Sequence, residues 1–160
     1  MNTVSRIEPT KILILEKPNT TYFEQYAGLV SPFGECTADA ENLYLNPMKY
    51  KLVLFTGGED VSPELYGDTS PKGVCGANKF RDFAETKVFK TCQRMGIPMT
   101  GVCRGSQFLN VMCGGKMIHH MNGHGGISHE VKMLSGETFL ANSLHHQMMI
   151  PHINTTILSW

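Results

Sequence analysis

The sequence predicts an α/β fold of three layers on a mostly parallel central sheet, and three observations carry that expectation. Residues 11–15 and 51–55 are continuous apolar runs with β-branched members, the pattern of strands covered on both faces. Residues 81–95 carry a helical repeat. Residues 96–112 pass from a Gly-Ile-Pro loop through a short apolar segment into a sharp turn that opens a second helix. Alternation of strand and helix along a chain favours parallel pairing with crossover connections.

Length and composition narrow the rest. A chain of 160 residues is long enough for a sizeable core and shows no repeat, low-complexity tract or charge block, so a single domain over 1–160 is expected. Basic and acidic residues balance at 14 each, which removes the electrostatic case for nucleic acid or an anionic membrane surface. No apolar run approaches the ~20 residues of a membrane helix, and the first ten residues are polar and lack a signal peptide's apolar core. The five cysteines form no CxxC pair, which fits free thiols in a reducing cytoplasm better than a disulfide framework.

In chain order, 11–15 reads as the first buried strand. Residues 20–30 are compatible with a short helix whose face carries Tyr22, Phe23 and Tyr26, although Gly28 weakens it; 36–46 carries no decisive pattern. The second buried strand, 51–55, ends in Thr56-Gly57-Gly58-Glu59-Asp60. Paired glycines after a strand let backbone approach a ligand closely, though alone they read equally as an ordinary turn. Residues 61–78, rich in Pro, Gly, Ser and Asp, read as a long surface excursion. In the helix that follows, Ala84, Val88, Cys92 and Met95 form an apolar stripe that makes Cys92 a core residue, and Arg81 and Glu85 are spaced to pair on the solvated face. Gly96 and Pro98 stop the helix and lead into the next short buried strand.

That strand ends at Gly101-Val102-Cys103-Arg104-Gly105, ahead of a helix over 106–112 closed by Gly114-Gly115. At a strand-to-helix turn the flanking residues must be small, because the diverging backbones leave almost no room. A lone cysteine in an apolar segment is usually a buried small hydrophobe, but this spacing favours an exposed, reactive thiol. Amides opening the helix favour its thiolate and can stabilise an oxyanion. Gly57-Gly58 and Cys103 both fall at strand carboxyl ends, where ligands bind in open α/β sheets, so the two loops are expected to share one pocket.

After Gly115 the pattern changes to short strand-like pieces at 116–118, 129–134 and 138–140, expected to be antiparallel. All seven histidines lie from His119 onward without a metal-ligand spacing, most of them in turn-rich sequence, and are expected to be solvated rather than to hold a metal.

Taken in order, the Thr56 to Gly67 segment (TGGEDVSPELYG), Arg81-Asp82 with Glu85, Gly101-Val102-Cys103-Arg104-Gly105-Ser106-Gln107-Phe108-Leu109-Asn110-Val111, and Asn142-Ser143-Leu144-His145-His146-Gln147 resemble the class I glutamine amidotransferase superfamily, and within it the γ-glutamyl hydrolase (peptidase C26) branch. The resemblance runs from about residue 11 to 152 and implies a flavodoxin-like fold with chemistry on γ-glutamyl amides. Cys103 would form a γ-glutamyl thioester, backbone amides of Gly58 and Arg104 would form the oxyanion hole, and Gly57, Gln107, Ser143, Leu144, His145 and His146 would contact the glutamyl group. No cofactor or metal is implied. The implied partners are glutamine or a γ-glutamyl amine, and at protein level a synthetase or a second copy of the chain.

The sequence departs from the family's pattern at one point. The family's general base comes from a later His-Pro-Glu motif, and none occurs here; His145 and His146 match the earlier segment, and as neighbours on a strand would face opposite ways. The expectation is a domain truncated at its C-terminus, or a non-catalytic binding or assembly module that has lost its base. A thiol peptidase or chaperone-like protein of similar fold would leave Gln107 and the glycine pair unexplained.

Overall fold

The computed structural model describes residues 9–16, 20–69 and 73–159 of the chain. Most of the polar N-terminal stretch, residues 1–8, and Trp160 lie outside them. The chain forms two compact units, one of residues up to Glu59 with Asn78–Ser106, the other of Asp60–Ala77 with residues from Gln107 onward.

The first unit is built on a parallel sheet of order β2-β1-β3-β4. Strand β1 (Lys11–Leu15) lies between β2 (Glu35–Thr37) and β3 (Tyr50–Phe55), and β3 pairs with β4 (Met99–Gly101), setting Phe55 opposite Gly101. Ile12, Leu13, Ile14, Val53 and Phe55 are fully buried, which is why β1 and β3 are apolar at consecutive positions and do not alternate. Strand β4, expected to be buried, is half-exposed, because it pairs on one side only within its sheet.

Helix α1 (Thr21–Val30) begins where the Thr20 hydroxyl accepts from the Phe23 amide at 3.1 Å. Its inner face is Phe23, Tyr26, Ala27 and Val30, packed on Ile12, Ile14 and Leu54. That spacing turns Tyr22 outward, against the expected face. The undecided 36–46 segment resolves into the end of β2 and a short helix α2 (Ala40–Leu45) capped by Asp39. Neither is long enough to show its period in sequence.

Helix α3 (Lys79–Met95) is capped by Asn78 and ends at Gly96, whose φ of 67° is the left-handed conformation of a helix C-cap. Val88 and Cys92 are buried as the repeat requires, with Phe89 beside them, but Ala84 is exposed and Met95 half-buried. In the N-terminal half of the helix the buried positions are Asp82 and Glu85, an inversion of the expected apolar stripe. Helix α4 (Arg104–Met112) follows the Cys103 turn.

In the second unit, β5 (Lys116–Ile118) pairs antiparallel with β8 (Met148–Ile150), and β6 (Ile127–Lys132) with β7 (Thr138–Ser143). The 61–78 excursion is more than a surface loop. Val61, Ser62, Pro63 and Tyr66 are buried around a 3-10 turn, and Asp60 bridges to Ala77. Among the described residues no helix is long and apolar enough to cross a membrane.

Candidate active site

Cys103 sits where β4 gives way to α4. Among the described residues it is the one non-glycine with positive φ, at 52°. A side-chain-bearing residue in this conformation costs about 1–2 kcal/mol, so the surroundings must impose it. They do so by hydrogen bonds on both sides of the turn. The Val102 amide donates to Phe55 O at 3.0 Å, the Gly105 amide to Val102 O at 2.9 Å and the Ser106 amide to Cys103 O at 3.0 Å. The Ser106 hydroxyl donates to Gly101 O at 2.6 Å.

The flanking glycines are required as the sequence predicts. A β-carbon on Gly101 would strike the backbone of Gly105 and Ser106, and one on Gly105 would strike the backbone of Phe55. The result is an exposed Cys103 between a half-buried Val102 and a buried Arg104. The other thiols in this unit differ. Burial pushes the Cys92 thiol up to about 11 and raises that of Cys36.

The glycine pair stands beside the cysteine. A β-carbon on Gly57 would lie 3.7 Å from Cys103 Cβ, so the loops after β3 and β4 meet as expected from their shared sheet edge. The Gly57 amide donates to the Tyr26 hydroxyl at 2.9 Å, and the Thr56 hydroxyl donates to Leu15 O at 2.7 Å. Tyr26 therefore supports the site, although in sequence it is legible only as part of a helix face. Gly58 has φ of 141°, and a β-carbon there would fall on Arg81 Nη1.

That arginine corrects the expectation of a solvated Arg81–Glu85 pair. Arg81 Nε does donate to Glu85 Oε1 at 2.8 Å, but the Glu85 side chain is only 5% exposed. Arg81 also donates through Nη2 to Thr56 O at 3.0 Å and Thr56 Oγ1 at 3.1 Å, and through Nη1 to Glu59 Oε2 at 3.0 Å. The second oxygen of Glu85 pairs with Arg104 Nη1, and Asp82 with Arg104 Nη2; the Arg104 side chain is 1% exposed. Burial works against the Arg81 charge, yet Glu85 and Glu59 outweigh it and raise the guanidinium above its usual range. Arg104, expected to act through its amide, anchors the turn to α3 through its side chain.

The remaining predicted residues belong to the second unit. Gln107 Nε2 donates to Gln147 O at 3.4 Å, and His145 Nδ1 contacts the same carbonyl at 2.8 Å, the geometry of the tautomer protonated at Nδ1. His146 faces His120, Nδ1 to Nδ1 at 3.3 Å, and Asp60 Oδ1 lies 3.3 Å from its Nε2. His145 and His146 follow β7 in irregular backbone, so the opposite-face rule expected for a strand does not govern them. Leu144 is exposed. Ser143 is buried with an unpartnered hydroxyl, and the buried Gln147 amide is unpartnered at both atoms. Buried polar groups left this way often mark a ligand or water position, and that signal is absent from sequence. Among the described residues no cluster of three or more His, Cys, Asp or Glu could hold a metal.

A cavity of about 520 Å³ in the first unit, with Leu15, Tyr44, Glu59 and Arg81 in its wall, does not include Cys103 or the glycine pair.

Comparison with known proteins gives a consistent picture. A sequence model of the Peptidase C26 family matches residues 39–151. Protein NtpR of Enterococcus hirae is 30% identical over 134 residues, covering 68% of this chain and 56% of that protein. The gamma-glutamyl-CDP-amidate hydrolase of Campylobacter jejuni is 35% identical over 104 residues, 60% of this chain and 42% of that protein. The chain thus spans about half the length of these relatives. Among solved structures, a glutamine amidotransferase from Thermotoga maritima superposes with a TM-score of 0.64 at 14% identity, over 95% of this chain and 66% of that one. The likeness establishes a flavodoxin-like α/β fold, whose strand order begins 2-1-3-4 as the sheet here does.

Proposed function

The chain belongs to the peptidase C26 family, of glutamine amidotransferase-like proteins, and from that premise we propose that it is a cysteine-nucleophile hydrolase or amidotransferase of γ-glutamyl amides. The observation that carries this reading is Cys103, held exposed at φ 52° with Gly57 against it. The name of the C. jejuni relative, gamma-glutamyl-CDP-amidate hydrolase, supports the choice of the glutamyl group.

The Cys103 thiolate attacks the γ-carbonyl carbon. The C–N bond breaks, the amine leaves with a proton, and a γ-glutamyl thioester remains. Water or an acceptor amine then attacks the thioester, and the thiol is restored. The amides of Gly58 and Arg104 serve the oxyanion.

The test is incubation with glutamine or γ-glutamyl p-nitroanilide, following amine release together with the intact mass of the protein. A γ-glutamyl adduct mapped to Cys103, absent from Cys103→Ser, supports the reading. Absence of both adduct and release, with Cys103 freely alkylated, favours the non-catalytic binding module instead.

A further inference from the structure

We propose that Arg81 is a positioning residue, a clamp that fixes the Gly57-Gly58 turn against the Cys103 elbow; this rests on the reading of that elbow as a γ-glutamyl site. The guanidinium reaches both residues that bracket the glycine pair. Nη2 holds the Thr56 carbonyl and hydroxyl at 3.0 and 3.1 Å, and Nη1 holds the Glu59 carboxylate at 3.0 Å. Its edge lies where a Gly58 β-carbon would be. A planar fork with fixed donor directions can pin two ends of a turn at once, which a single ammonium cannot.

Arg81 is itself anchored by Glu85 through Nε at 2.8 Å, and the other oxygen of that carboxylate pairs with Arg104, the residue after the nucleophile. One buried carboxylate thereby joins the turn that carries Gly58 to the turn that carries Cys103. Asn78 completes the support: its side chain accepts from the Arg81 amide at 3.2 Å. Buried ion pairs of this kind add little net stability, because desolvation consumes most of their attraction. What this network supplies is the relative placement of two loops, and misplacement of about 1 Å at a reacting centre is enough to cost ~100-fold in rate.

The experiment compares two alkylating agents at Cys103 and adds a readout independent of substrate. Iodoacetamide reports access to the thiol. A glutamine-analogue chloromethyl ketone, from which the thiolate displaces chloride at the methylene carbon, presents a carbonyl to the Gly58 turn. In Arg81→Ala the chloromethyl ketone rate relative to iodoacetamide is expected to fall about tenfold or more, on the scale of a loop displacement. Hydrogen exchange over the peptide bearing residues 56–59 is expected to accelerate, with that over β1 unchanged.

Arg81→Lys, which keeps the charge and loses the fork, is expected to show the same changes to a smaller degree, and carries the test if Arg81→Ala does not fold. A rate ratio and an exchange rate both unchanged in the folded variant overturn the proposal. If the unmodified protein reacts no faster with the chloromethyl ketone than with iodoacetamide, the γ-glutamyl reading fails, while hydrogen exchange still decides whether Arg81 clamps the turn.

Discussion

The amide of Gly57 donates to the hydroxyl of Tyr26 at 2.9 Å. Helix α1 thus reaches across to the loop after β3 and takes up the first of its two glycine donors. Tyr26→Phe removes the acceptor and leaves that N–H unmatched in a half-buried position, a loss of about 1–3 kcal/mol. Thermal or denaturant unfolding should show this destabilisation. A stability equal to that of the unmodified protein would show that water replaces the hydroxyl at no cost.

The glycines of the elbow are predicted to differ sharply from a helix-surface glycine. Gly105→Ala places a methyl on the Phe55 backbone, which cannot move without breaking β3, and should prevent folding or cost more than about 3 kcal/mol. Gly28→Ala meets no atom within 4 Å, lies inside α1, and should stabilise by roughly 0.5–1 kcal/mol. Paired denaturation curves check both signs.

Thiol reactivity should rank by exposure and by the burial effects described above. Cys103 is expected to alkylate before Cys36 and Cys92, with Cys92 last, since it is fully buried and its thiol is pushed up to about 11. Timed alkylation followed by peptide mapping gives the order. Labelling of Cys92 ahead of Cys103 in the folded protein would remove the basis for a nucleophilic elbow.

The same buried thiol sets an alkaline limit. A raised folded-state pKa means that the protonated form is favoured by folding, so the contribution is fully present below the unfolded value of 9.0 and is lost as pH rises toward about 11. Stability should therefore decline over that window by about 2–3 kcal/mol, because deprotonation of one group in the unfolded chain alone costs the folded state about 1.4 kcal/mol per pH unit. Cys92→Ala should flatten this limb of the pH–stability curve while lowering the plateau through the cavity it opens. A limb of unchanged slope in that variant would assign it to other groups.

Some of the site was written locally and some was not. The elbow was legible because its constraint is short-range. Gly101 and Gly105 stand two residues either side of Cys103, and the clash that excludes a β-carbon arises between strand and helix at that one turn. Strands β1 and β3 were legible because burial on both faces leaves an unbroken apolar run in sequence. The meeting of the Gly57 turn with Cys103 followed from parallel neighbours sharing a sheet edge, and the in-register pairing of Phe55 with Gly101 bears it out.

The roles of the polar residues were decided only by tertiary structure. At four residues' separation on a helix, Arg81 and Glu85 make the same sequence pattern whether the pair is solvated or buried. Burial was settled by Arg104, 19 residues from Glu85 and 22 from Asp82. Tyr26 and Gly57 are 31 residues apart. Local sequence encodes backbone sterics and the period of apolar positions, because both act between near neighbours. Which charges share a buried carboxylate, and which hydroxyl meets which amide, depends on where the crossover helices come to rest on the sheet. That placement is fixed only when the whole first unit has packed.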